Sequence, residues 1–365
     1  MKQLLDDIVR IVVGVLFIFS GLIKVNDPYG TAIKLEEYFE LFSQDFAYFF
    51  HYFVQHALVL SVIFSVLEVV LGVALLVKFR MVFTSWALLL LILFFSFLTF
   101  YSAYFDKVND CGCFGDAIKF SPWQSFWKDV ILLVLIGYIF FRRRALQPVI
   151  SRRFANWVSA ASVAVFTGLA IYSIEHLPYI DFRPYKIGSD IDKNMRPSEP
   201  LRYVYVMEKD GKSYRLEEYP ADTTFRFVRM VLLNPGAQPK ITDYSVWNDD
   251  GDFTSESFEG AKLMIVFHDV NTARLRNLNR VISLMRAAEG IADVWVLTSN
   301  DEATFENFRH EYQIAAPYFY ADGEVLKAMI RSNPGIVLLR DGVVLGKWHS
   351  NDTPSIDRLS RLLGV

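Results

Sequence analysis

Apolar residues are spread unevenly along this chain. Up to about residue 175 they form long runs, and beyond it they alternate with charges at short intervals. A helix crossing the hydrocarbon of a bilayer needs about 20 mostly apolar residues. Five stretches approach or reach that length: 8–23, 57–77, 81–105, 126–141 (full length only when counted from Trp123) and 154–174. The first has the basic start and apolar centre of a cleaved signal peptide. No A-x-A-like site follows it and four further runs do, so it reads as a span. Between the first two runs, Phe39, Phe42, Phe46, Phe49 and Phe53 recur at intervals of three and four, which predicts a helix over 38–56 with one aromatic face. That helix either lies in the membrane interface or extends the second span onto the bundle.

The second half reads as a soluble domain. Residues 177–240 combine a proline-spaced extended segment with a hairpin around Asp210-Gly211, which predicts a small β-rich insert without chemistry of its own. From Ile241 the pattern is βα: a short hairpin, a buried strand over 262–270, a basic helix over 272–289, a strand over 293–299 and a helix from Asp301 to Tyr312. A second hairpin, turned by Asp341-Gly342, and a helix from Pro354 to Leu363 close the chain. The expected organisation is a four-helix membrane domain (1–145), a fifth membrane helix (146–176), the linker and insert (177–240) and an α/β domain (241–365).

Composition sharpens this picture. Hydrophobic residues make up 53% of the chain and charged residues 21%, as expected of a membrane protein with a soluble domain. A net charge of -3 without a basic stripe points away from nucleic acid. Arg142, Arg143, Arg144, Arg152 and Arg153 crowd the loop between the fourth and fifth runs. The positive-inside rule makes that loop cytoplasmic. The amino terminus is then cytoplasmic too, and the loop after the third run and the C-terminal domain are extracytoplasmic. The predicted location is the inner membrane, multi-pass, with the soluble domain in the periplasm.

Both cysteines of the chain fall in that outer loop, in "VNDCGCFGD" (108–116), as Cys111 and Cys113. Outside the cytoplasm paired cysteines form or exchange disulfides. A bridge across one residue needs a sharply bent chain, because Cα atoms of a disulfide sit about 4.4–6.8 Å apart. Gly112 permits the bend and Gly115 adds freedom beyond it. A strained bridge is more oxidising than a relaxed one and passes its oxidation on. Three readings stand: a redox-active pair, a structural bridge or inert pair, and half of a metal site. No histidine lies in the loop to complete a zinc tetrahedron. Four ionisable residues lie in or at the ends of the runs, where charge is costly: Lys24, Glu68, Lys128 and Asp129. Lys24 and Lys128 are placed either to snorkel into the interface or to favour the thiolates. Glu68, in mid-span, is either protonated or paired between helices.

"FSGLIKVNDP" (19–28), "LEVVLGVALL" (67–76) and the "DCGCFGD" loop followed by "SPWQSFWKDVILLVL" (121–135) resemble the DoxX-like membrane family, in particular its MauE branch of methylamine utilisation. The resemblance covers about 5–142. It implies a four-helix membrane bundle and a role in forming disulfides in a partner protein. The fifth run and the soluble domain depart from that family, which puts a methylamine-related substrate in question. The C-terminal domain resembles the thioredoxin-like fold, with Pro334 before a core strand. Where that family carries C-x-x-C the chain reads "VNTARLRN", so the domain has no thiol to exchange; the resemblance implies a peptide-binding groove beside Pro334. Two classes of function follow. One is a thiol–disulfide oxidoreductase using Cys111 and Cys113 on an envelope protein, with electrons leaving to a quinone or a second thiol protein. The other is a membrane scaffold whose cysteine-free domain binds an envelope partner.

The orientation yields a first prediction. Alkaline phosphatase fused after Gly188 is expected to be active, and the same enzyme fused at Arg144 inactive. The reverse pattern would invert the topology and remove the oxidising-compartment argument.

Overall fold

The computed structural model describes residues 2–108, 112, 114–146 and 151–365. The chain divides into two compact units, Met1–Phe182 and Arg183–Val365.

The first unit is helical: α1 (Lys2–Asn26), α2 (Pro28–Asp45), a short α3 (His51–Val54), α4 (Ala57–Leu76), α5 (Met81–Phe105), α6 (Pro122–Arg142) and α7 (Arg152–Glu175). Among the described residues, five helices are long and apolar enough to cross a membrane: α1, α4, α5, α6 and α7. Two of the helix starts are written locally. Asp27 accepts a hydrogen bond from the Gly30 amide ahead of Pro28, and Ser121 and Gln124 form a capping box around Pro122. The second cap explains why α6 begins before its apolar run does.

α1 and α4 pack with their backbones close together. A Cβ on Gly72 would stand 2.7 Å from the Gly14 carbonyl oxygen and 3.0 Å from the Ile18 nitrogen. A Cβ on Gly21 would stand 2.8 Å from the Val69 nitrogen. Small residues that admit such an approach are the usual means of joining helices in lipid. At the amino-terminal end of α1, Arg10 donates to the Leu75 and Leu76 carbonyls that end α4. Asp6 accepts from Tyr138 at 2.6 Å and from Arg142 at 2.8 Å, which ties α1 to α6.

The aromatic segment 38–56 is not one helix. α2 ends at Asp45, Ala47 is extended, and a 3-10 turn over Tyr48–Phe50 leads into α3. Phe39 and Phe42 are buried against Ala57, Leu98 and Tyr101, whereas Phe46 and Phe49 are exposed. Tyr101 and Lys107 both donate to Asp45, pinning the end of α2. These contacts hold the Asp45 carboxyl below the ordinary carboxylate range, Lys107 contributing most and Tyr101 next.

The second unit is sheet-rich. After α8 (Ile191–Asn194), β1 (Tyr203–Lys209), β2 (Lys212–Leu216) and β3 (Arg226–Leu232) form an antiparallel sheet in the order β2-β1-β3. A larger sheet has the order β10-β9-β6-β7-β8-β4-β5. Its strands are β4 (Trp247–Asn248), β5 (Gly251–Asp252), β6 (Ala261–Phe267), β7 (Asp293–Thr298), β8 (Tyr318–Tyr320), β9 (Gly335–Arg340) and β10 (Val343–His349). The helices are α9 (Leu278–Ala288), α10 (Glu302–Tyr312), α11 (Gly323–Met329) and α12 (Ile356–Leu363). β6, β7 and β8 run parallel, and β9 and β10 are antiparallel. β6 is buried on both faces, which explains its unbroken apolar run. The Gly188 amide bonds to the Val344 carbonyl of β10 and the Ile191 amide to the Gly342 carbonyl in the turn before it, which covers the start of that sheet edge. The helix expected over 272–289 is instead two 3-10 turns followed by α9.

The α1–α4 contact yields a second prediction. Gly72→Ala is expected to destabilise the protein by about 1–3 kcal/mol, because backbone atoms cannot rotate out of the way. Gly137→Ala, where nothing stands within 4 Å of the new methyl group, is the control. Thermal unfolding in detergent measures both; equal midpoints would contradict the packing argument.

Candidate functional site

The α1–α4 crossing that buries Gly21 also sets Lys24, a turn further along α1, against Glu68, a turn before Gly72 on α4. The Lys24 ammonium bonds Glu68 Oε1, lies 3.3 Å from Ser20 Oγ and sits 4.6 Å over the Phe95 ring. Both side chains are buried. Lys24 therefore does not snorkel to the interface; its partner draws it inward. Glu68 Oε2 is buried and has no hydrogen-bond partner among the described residues.

α6 supplies a second pair. Lys128 Nζ lies 2.9 Å from Asp129 Oδ1, and Thr99 of α5 donates to Asp129 Oδ2 at 3.0 Å. Lys128 also sits 5.0 Å over the Phe114 ring. Both pairs, with Phe95 and Phe114, line one cavity of about 50 Å³. Its lining is mostly apolar, with the charged groups of the two pairs as polar points in it, and it is large enough for a water molecule.

The loop reaches this place through its described residues. Phe114 is buried on Ile23 and packs against Phe19 and Phe120. Gly112 has φ +66°, and Gly115, with φ +49°, donates its amide to the Gly112 carbonyl at 3.1 Å. Both glycines thus occupy the left-handed region that other residues avoid. Gly112 lines a second cavity of about 30 Å³ together with Lys24, Lys34, Tyr38 and Thr99. A Cβ on Gly112 would stand 3.0 Å from Lys34 Cγ. Cys111 and Cys113 lie outside the described residues. Among the described residues no cluster of three or more His, Cys, Asp or Glu side chains is placed to hold a metal ion.

Lys34, Thr99, Phe95 and Phe114 belong to this site and were not singled out from the sequence. A threonine deep inside the strongest apolar run was the available signal for Thr99. Lys34 offered none, since one lysine on a mixed helix is ordinary.

In the second unit, Pro334 follows Asn333 through a cis bond and is buried. The Asn333 carbonyl accepts from the Arg274 amide at 2.8 Å, and its side chain donates to Asp269 O and Thr272 Oγ1. The loop after β6 is thus tied to the residue that precedes Pro334. Burial pushes the neighbouring His268 imidazole down to about 4, and Lys327 adds to the effect. His268 is thus neutral near pH 7.

Residues 2–142 match the family described as methylamine utilisation protein MauE. The match ends with α6, so α7 and the second unit lie beyond it. No curated protein and no solved structure matches this chain significantly. The five apolar helices and the family match together read as a multi-pass membrane protein.

The buried pair yields a third prediction. Lys24→Met alone is expected to cost about 3–5 kcal/mol, since it strands Glu68 in the interior. Lys24→Met combined with Glu68→Leu should recover most of that loss. Additive losses in thermal unfolding would show that the two groups are not coupled.

Proposed function

We propose that this chain is a membrane-embedded thiol–disulfide redox protein that assists the maturation of an envelope protein through Cys111 and Cys113. The observation that carries this reading is the seating of the loop. Gly112, which separates the two cysteines in sequence, lines a cavity with Lys24 and Lys34, and Phe114 lines the one holding both ion pairs. Nearby ammonium groups favour the thiolate, the form that attacks and leaves in exchange. In the proposed cycle a partner thiolate attacks the oxidised pair and forms a mixed disulfide, and the partner's second thiol resolves it. The pair is left as two thiols. Reoxidation removes two electrons and two protons, passed to a quinone that becomes the quinol, or to the disulfide of a second thiol protein. The pair faces the extracytoplasmic side of the inner membrane.

The soluble unit is proposed to be thioredoxin-like. The support is the sheet, with parallel β6 and β7 beside antiparallel β9 and β10, and Pro334 set between β9 and the loop after β6. A scaffold reading has its own support: β3 pairs only with β1 among the described strands, and Phe227, Val228 and Met230 on it are exposed.

The two readings separate in one experiment. Cys113→Ser and Cys111→Ser proteins are isolated from the native envelope under acid trapping. One of them is expected to carry a partner released by reductant, and Lys34→Gln is expected to slow alkylation of the reduced pair at neutral pH. A redox titration should place the pair at about -120 to -200 mV. A pair that stays oxidised below about -300 mV, with no partner trapped, would leave the scaffold reading.

A further inference from the structure

The end of the bundle remote from the charged cavity holds an open cleft of about 650 Å³ between the α4–α5 turn and the end of α6. Four cations line it: Lys78, Arg80, Arg143 and Arg144. The acids of this end are already engaged. Asp7 lies 3.1 Å from Lys78 and 3.2 Å from Arg10, and Asp6 is held by Arg142. Arg80, Arg143 and Arg144 have no carboxylate partner among the described residues. Arg143 is fixed in place, with its guanidinium 4.0 Å over the Phe140 ring and donating to the Phe140 carbonyl. Its Nε is nevertheless buried without a hydrogen-bond partner.

Two independent features point to a ligand of mixed character. Lys78 and Arg80 have φ of +53° and +39°, a region that favours glycine, so the tight turn keeps two long cationic side chains where they are conformationally disfavoured. Beside them Val82, Phe83 and Trp86 are 53%, 68% and 48% exposed on the first turns of α5. That apolar wall continues along a helix of membrane-spanning length, and tryptophan is enriched at the headgroup level of such helices.

We propose that this cleft binds an anionic phospholipid, its phosphate held by Arg80, Arg143 and Arg144 and an acyl chain lying on Phe83 and Trp86. Guanidinium forks match phosphate oxygens, and basic pockets between membrane helices recognise anionic headgroups. A free phosphate would use the cations and leave the wall idle. The site is independent of the cysteine pair and of the thiol chemistry proposed above.

The test uses the full chain purified in a neutral detergent, with bound lipid read by native mass spectrometry. Phosphatidylglycerol is expected to be retained in preference to phosphatidylcholine, and the preference should fade with added salt. Each of Arg80→Gln, Arg143→Gln and Arg144→Gln should weaken phosphatidylglycerol binding about fivefold. Arg143→Lys keeps the charge but loses the fork and the ring stacking and should weaken binding nearly as much, and Trp86→Ala should weaken the lipid without changing binding of inorganic phosphate. Equal retention of the two lipids would overturn the proposal, as would displacement of the lipid by millimolar inorganic phosphate. Should a glutamine variant fail to fold, the lipid preference of the unaltered protein decides by itself.

Discussion

Contact between the backbones of α1 and α4 is the constraint from which the rest of the membrane unit follows. Lipid tails are as apolar as leucine, so helices in a bilayer are joined by close packing and polar contacts rather than by escape from water. Gly14 and Gly72 remove the side chains that would hold the axes apart, and Gly21 does the same further along, against Val69. This crossing leaves no freedom of rotation, and Lys24 must therefore meet Glu68. The ion pair is a consequence of the glycines as much as an attraction in its own right.

Charge inside such a bundle is tolerable only when it is neutralised and its polar atoms are used. The cavity meets the first condition with two cations and two carboxylates. It meets the second for Asp129, whose oxygens are taken by Lys128 and Thr99, and fails it at Glu68 Oε2. Glu68 Oε2 is the place on this cavity where a water molecule would gain a hydrogen bond. The loop end of the bundle therefore holds its paired charges beneath Phe114, while an apolar shell of Phe95 and Phe114 keeps the local dielectric low and the interactions strong.

Much of this was legible in the sequence wherever local rules suffice. Span-length apolar runs need only composition, the Asp210-Gly211 and Asp341-Gly342 turns need only the left-handed preference of their residues, and the buried β6 announces itself by apolar density. The ion pair was not legible, because Lys24 and Glu68 are 44 positions apart and only the packing of glycines brings them together. β3 went unread because its side chains are almost all exposed and it shows no alternation. The aromatic helix over 38–56 was misread because spacing alone cannot show that Ala47 is extended or that Asp45 is tied down by Tyr101 and Lys107. The contacts beside Pro334 were not legible for a related reason: the resemblance supplied the proline, whereas the bonds of Asn333 to the 269–274 loop join positions far apart in sequence.

The two ends of the bundle treat charge in opposite ways, and the difference is physical. At the loop end the ionisable groups are buried, so each must find a partner within the fold. At the other end Asp6 and Arg10 are buried and paired in the same way, whereas Arg80 and Arg144 are exposed and pairing is optional; Asp6 and Asp7 anchor Arg142, Lys78 and Arg10, and the remaining arginines are left in excess. Excess positive charge at a bilayer surface is inexpensive in water and favourable beside anionic lipid. An arginine whose ring-stacked guanidinium is rigidly held while its Nε stays unmet differs from the flexible, fully hydrated side chains that usually supply such charge. Rigidity before binding lowers the entropy lost on binding, so a cation already fixed beside an apolar wall discriminates among lipids, whereas a mobile one only attracts them.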